Sequence, residues 1–207
     1  METMRRIMAT ACLAAIGWAT AKAQTEGALQ KAFSDSYAAE YNKRYADAVA
    51  VLMKAYNEKG YEVNLRLGWL HYANGNHTAS QTYYEKAVDL KPYAVEARLG
   101  LAKPLDALGS TDKLLKNYEE VLKVDPQNTT ANYWTGVIHY NRKKYEAAAR
   151  HFERIVNLYP FDYDGNHMLG WTYLNLGRHA EAGILFQKAL LSRPGDTSSL
   201  DGLSRIR

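Results

Sequence analysis

The chain has 207 residues, of which 47% are hydrophobic, 23% charged and 12% aromatic, with a formal net charge of +4. That length and apolar content suffice for a buried core, and sixteen tyrosines exclude a chain disordered throughout. A single cysteine, Cys12, excludes a disulfide framework.

In chain order, residues 1–23 come first and have the layout of a secretory signal peptide. Arg5 and Arg6 precede a run from Ile7 to Ala21 that is almost wholly apolar or small, and Ala21-Lys22-Ala23 is a small-x-small cleavage site before Gln24. The 15 residues of that run fall short of the roughly 20 that cross a bilayer, and no second such run follows. Cys12 sits inside the run behind Met8-Ala9-Thr10-Ala11, a poor lipidation motif. Beyond the leader, 23 basic and 21 acidic residues remain and no long basic run, which predicts neither a nucleic-acid partner nor membrane insertion of the mature chain.

A 34-residue period then dominates. Pro92, Pro126, Pro160 and Pro194 stand 34 residues apart. Leu67-Gly68 returns as Leu101-Ala102, Thr135-Gly136 and Leu169-Gly170; Tyr84 returns as Tyr118, Phe152 and Phe186; Ala87 returns as Val121, Ile155 and Ala189. Gly75 returns as Gly109 and Gly177, with Lys143 as the exception. Each period predicts two helices. Tyr61 to Asn74 is apolar-periodic and ends at Gly75, the residue best suited to a left-handed helix terminus. Thr78 to Leu90 is a second such stretch, stopped by Pro92. Small residues at Gly68, Ala102, Gly136 and Gly170 let the paired helices approach, and the large rings at Tyr84, Tyr118, Phe152 and Phe186 fill the space between neighbours. One such hairpin cannot bury its apolar face alone, whereas a stack of them shares one continuous core.

In these slots the sequence resembles the tetratricopeptide repeat (TPR) family. The resemblance rests on Leu67-Gly68, Tyr84, Ala87 and Pro92 with their counterparts, and covers residues 61–194. It implies an all-α fold, a right-handed α-solenoid of stacked helix-turn-helix units spanning 61–94, 95–128, 129–162 and 163–194. A degenerate unit at 24–60 precedes them, where Tyr45-Ala46-Asp47-Ala48 opens a second helix but Lys59-Gly60 replaces the proline and two residues are missing. Residues 195–207 form a capping helix. The family's usual Trp slot holds Asn64, Arg98, Asn132 and Asn166, so the first turn of each inner helix packs differently. Pro104 falls inside a predicted helix, four residues after Gly100, and predicts a kink.

The sequence marks no catalytic residue, cofactor or metal site. It has no glycine-rich phosphate loop, no HExxH pair and no cysteine cluster. His71 and His139 share one slot two repeats apart, which predicts half-buried equivalents rather than ligands of one metal. Glu85 and Glu153 have no partner at catalytic spacing, and no Ser or Cys is paired with a base. Asn128-Thr129-Thr130, a glycosylation sequon, reads as a helix start.

A stripe of each first helix remains for binding, selected by steps of four and then three residues. It holds Leu65, Trp69 and Tyr72; Leu99, Lys103 and Asp106; Tyr133, Val137 and Tyr140; and His167, Trp171 and Leu174. Periodicity defines this face to within one residue, and the resemblance to the family selects it as the concave one. Tyr and Trp dominate interaction hot spots, so the expected partner is a protein or peptide segment presenting apolar and aromatic groups, not an acidic C-terminus. The turn Tyr159-Pro160-Phe161-Asp162-Tyr163-Asp164 carries three aromatic rings, expected to pack on the next hairpin. A leader followed by such repeats predicts a non-catalytic adaptor or scaffold of the bacterial periplasm or cell envelope. The alternative is a structural subunit of an envelope or secretion assembly, held by lateral or terminal surfaces.

Overall fold

A computed structural model describes residues 26–206, so the leader at 1–23 lies outside the described residues. Helix α1 covers 26–41. Ten further helices follow: α2 Tyr45–Met53, α3 Tyr61–Ala73, α4 His77–Leu90, α5 Val95–Ala107, α6 Thr111–Val124, α7 Thr129–Asn141, α8 Tyr145–Leu158, α9 Tyr163–Asn175, α10 His179–Ser192 and α11 Thr197–Ser204. No strand occurs among the described residues. From α3 onward the odd-numbered helices start at Tyr61, Val95, Thr129, Tyr163 and Thr197, a constant step of 34. The architecture is all-α, a series of helical hairpins. The described residues divide into two compact units, those up to 90 with α1 to α4 and those from 91 with α5 to α11.

Each hairpin turn closes in the same way. The turn residue adopts a left-handed conformation at Gly75 (φ 78°), Gly109 (65°) and Gly177 (74°), and also at Lys43 (57°) and Lys143 (58°). The amide after it bonds the carbonyl five residues back, as in Asn76 N–H to His71 O at 2.8 Å and Lys144 N–H to His139 O at 2.9 Å. This closure satisfies carbonyls that a helix end leaves open. Glycine adopts the required φ freely; the two lysines do so against the strain of their own Cβ.

The glycines of the first helices face the large rings of the second. A Cβ on Gly68 would lie 2.8 Å from the Tyr84 ring, one on Gly136 2.7 Å from Phe152, and one on Gly170 2.9 Å from Phe186. In the second unit α8, α9 and α10 share a core of Ala148, Phe152, Ile155, Leu169, Leu185 and Phe186. In the first unit Ala48, Leu52, Val63, Leu67 and Leu70 form the corresponding core, with Phe33 and Trp69 packed against it. The terminal helix α11 lays Gly202 against Phe186, so the last ring of the series is covered. Helix α5 runs unbroken through Pro104, whose ring is buried.

The unusual slot in the first turns has a clear role. Asn64, Asn132 and Asn166 are almost wholly buried. Each donates from Nδ2 to the carbonyls six and four residues back: Asn64 to Glu58 O (2.9 Å) and Gly60 O (2.8 Å), Asn132 to Pro126 O and Asn128 O (both 3.0 Å), Asn166 to Pro160 O (3.1 Å) and Asp162 O (2.6 Å). Arg98 keeps the longer-range bond with Nε, to Pro92 O at 3.1 Å. The amide thus staples the connecting loop to the first turn of the next helix, work that a tryptophan cannot do because its ring only donates once. Side-chain caps reinforce the later starts: Asn128 Oδ1 accepts from Ala131 N–H at 3.0 Å, Asp162 Oδ1 from Gly165 N–H at 2.6 Å, and Asp196 Oδ2 from Ser199 N–H at 2.8 Å. The segment Asn128-Thr129-Thr130 is therefore a helix start.

Candidate binding surface

In the first unit, the predicted stripe residues Leu65, Trp69 and Tyr72 are all half-buried on α3. Trp69 stands 6.1 Å from Tyr72, centroid to centroid, and its indole N–H donates to Glu40 Oε1 of α1. The same carboxylate pairs with Arg66, whose guanidinium lies 3.8 Å over the Tyr37 ring. The polar edge of Trp69 is thus engaged inside the unit.

In the second unit Lys103 and Asp106 are exposed on α5, whereas Tyr133, Tyr140, His167 and Trp171 are half-buried. Tyr133 rests edge-on against Phe152 (6.1 Å), and the Tyr140 hydroxyl accepts from Asn175 Nδ2 at 3.1 Å. Burial raises the hydroxyl pKa of both. Trp171 packs edge-on to Phe186 at 5.3 Å and donates to Ser198 Oγ (3.0 Å) and His167 Nε2 (3.2 Å). His167 Nε2 also lies 2.8 Å from Ser198 Oγ, and burial lowers the pKa of this ring. His167 also stacks on Tyr163 at 5.4 Å. The aromatic residues among them form a wall held by contacts within their own hairpins and with the element that follows.

One prominent part of this surface lies a single residue off the predicted stripe. An open cleft of about 410 Å³ is lined by Thr129, Thr130, Tyr133 and Trp134 of α7, Ile155 and Tyr159 from the end of α8, and Asp162 and Asp164 at the start of α9. Trp134 is 44% exposed and Tyr159 57%. The expectation that the rings of the 159–164 turn pack away fails for two of three. Tyr159 lines the cleft and Phe161 is 63% exposed, because the chain leaves α8 in an extended conformation (Tyr159 φ −131°, ψ 78°) that carries both rings outward. Only Tyr163 is covered, by the Arg193 guanidinium 3.7 Å above its ring.

Among the described residues no three His, Cys, Asp or Glu side chains converge as metal ligands. His71 stacks on Tyr83 at 5.2 Å and His139 on His151 at 5.7 Å, and burial lowers the pKa of all three histidines. His151 Nδ1 is 3.0 Å from Asn132 Oδ1, so this ring supports the Asn132 staple. No described helix is long and apolar enough to cross a membrane.

Sequence models of the tetratricopeptide repeat match residues 61–93 and, in two overlapping spans, 107–163 and 144–198, together more than half of the chain. No curated protein matches it. Among solved structures, a tetratricopeptide repeat protein from Parabacteroides merdae superposes with a TM-score of 0.75 at 18% identity, over 87% of this chain and 72% of that one. The TPR protein YrrB, described as having an unusual peptide-binding site, superposes with a TM-score of 0.71 at 16% identity, over 84% and 90%. MamA superposes with a TM-score of 0.72 at 17% identity, over 80% and 91%. At such identities the likeness is one of fold, but the matched repeats, with their 34-residue step and glycine-on-ring packing, place the chain in the tetratricopeptide repeat family.

Proposed function

We propose that this chain is a non-catalytic interaction module that holds a segment of a partner protein against the aromatic wall of its first helices. The observation that carries the reading is the open cleft beside Tyr133, where Trp134 and Tyr159 present large, exposed rings on a rigid frame. Such rings bury much area for little loss of rotamer freedom. Tetratricopeptide repeats generally mediate protein and peptide binding, which supports the same reading. The order of charged, apolar and small residues in 1–23 supports export, and with it action in a bacterial periplasm or cell envelope.

A second reading has its own observation. Leu158, Tyr159, Phe161 and Leu191 are exposed at the ends of α8 and α10, an apolar edge suited to lateral docking in an assembly. A photo-crosslinking residue placed at 134, and separately at 191, distinguishes the two in the host cell. Adducts from 134 that map to one short stretch of one protein are the expected result. Adducts from 191 alone refute segment binding and favour the assembly subunit.

A further inference from the structure

We propose that the cleft between α7 and the start of α9 receives a lysine or arginine side chain of the bound segment. This rests on the reading of the cleft as a segment-binding site. Three rings, Tyr133, Trp134 and Tyr159, form its walls, and Asp162 and Asp164 stand at one side. No cationic residue lines it. Asp162 commits one carboxylate oxygen to capping α9 through Gly165 N–H, and Asp164, exposed, has no hydrogen bond or ion pair to another described residue. Both carboxylates act on the Tyr133 hydroxyl and help raise its pKa, while Arg193 acts against them from its seat on Tyr163.

A guanidinium or ammonium group fits such a place for two reasons. The faces of aromatic rings attract a cation, and carboxylates beside them supply charge-assisted hydrogen bonds. This chain builds the same three-part set twice from its own residues. Arg66 lies 3.8 Å over Tyr37 and pairs with Glu40. Arg178 lies 3.6 Å over Tyr173 and pairs with Glu181, with Glu153 at 3.8 Å. The cleft offers rings and carboxylates in the same company, and the cation is the part it lacks. An acidic segment would meet repulsion there, and a purely apolar one would leave the carboxylates without partners.

The test uses the purified chain and three labelled dodecapeptides that share one apolar and aromatic frame and differ at four positions, which are all Arg, all Gln or all Glu. Fluorescence anisotropy reads the affinities at two salt concentrations. The Arg peptide is expected to bind about tenfold more tightly than the Gln peptide at low salt, with the advantage shrinking at high salt and the Glu peptide weakest. Asp162→Asn with Asp164→Asn is expected to abolish the advantage of the Arg peptide over the Gln peptide. Asparagine keeps the helix cap, as Asn128 does at the equivalent position. Should the double variant lose its fold, Asp164→Asn alone is expected to lose about threefold for the Arg peptide only. Equal affinity of the Arg and Gln peptides, or an advantage that survives the carboxylate substitutions, overturns the cation site and leaves segment binding standing. Failure of all three peptides to bind, with Trp134→Ala no different from the parent, overturns both.

Discussion

Two asparagines in equivalent slots allow the staple to be weighed against itself. Asn132 donates twice from Nδ2, and its Oδ1 is met by His151 Nδ1 at 3.0 Å and, less closely, by Arg154 at 3.4 Å. Asn166 donates twice in the same way, but its buried Oδ1 has no partner among the described residues. A net hydrogen bond contributes about 1 kcal/mol, and a buried polar atom left unpaired costs about 1–3 kcal/mol. Asn132→Ala removes three good bonds and strands the His151 N–H, a loss of about 3–4 kcal/mol. Asn166→Ala removes two bonds but also the unpaired oxygen, a loss of about 1 kcal/mol. The cavity and the stranded proline carbonyl are common to both and cancel, leaving a gap of about 2–3 kcal/mol. Urea unfolding followed by circular dichroism measures it, provided that the slopes of parent and variants agree. Adding His151→Ala to each variant then isolates the coupling, expected at about 1 kcal/mol with Asn132 and near zero with Asn166. Equal losses at the two positions, or a larger loss at 166, would refute this account of the staple.

Other outcomes follow from single features. Burial, with Arg154, His139 and Arg150 adding to it, lowers the His151 pKa to about 4. The folded state therefore resists protonation that the unfolded chain accepts near 6.5, so the contribution is complete above that pH and is lost as pH falls towards 4. Discounted for partial exposure, it amounts to about 1–2 kcal/mol, and His151→Leu should flatten the dependence of the melting temperature between pH 7 and pH 4.5. Lys143→Gly removes the left-handed strain of one hairpin turn and should raise stability by about 1 kcal/mol, read as an increase in Tm. Gly136→Ala sets a Cβ 2.7 Å from the Phe152 ring and should cost about 1–3 kcal/mol, a loss that an added Phe152→Leu partly recovers in the same assay.

Much of the fold is legible in the order of residues because its determinants are local. Proline ends a helix wherever it stands near the terminus, glycine turns the chain, and a small residue opposite a large ring needs no distant partner to make sense. Lys143 shows the limit of that logic: the turn holds its left-handed geometry although the slot lacks glycine, since the bonds on either side enforce it. The candidate surface was less legible for a related reason. Helical periodicity located the face of Tyr133, but Trp134 stands one residue beyond it, an offset that spacing alone does not resolve. Asp162 and Asp164 belong to the entry of the next hairpin, so their presence in the cleft depends on how neighbours stack. In the same way Trp69 and Trp171 appear free in a helical projection, yet their indole nitrogens are engaged by Glu40 and Ser198, 29 and 27 residues away in the chain.

The asparagine staple has a consequence for how such a chain can grow. Its amide nitrogen reaches backbone carbonyls four and six residues upstream, and backbone carbonyls are the same in every repeat whatever side chains surround them. A duplicated stretch of 34 residues that includes the slot therefore brings along the joint by which it attaches, and the ancestral neighbour need not change to receive it. Insertion and loss of whole hairpins become small evolutionary steps, and an engineer who lengthens the array has one asparagine, rather than an entire interface, to preserve at each new seam.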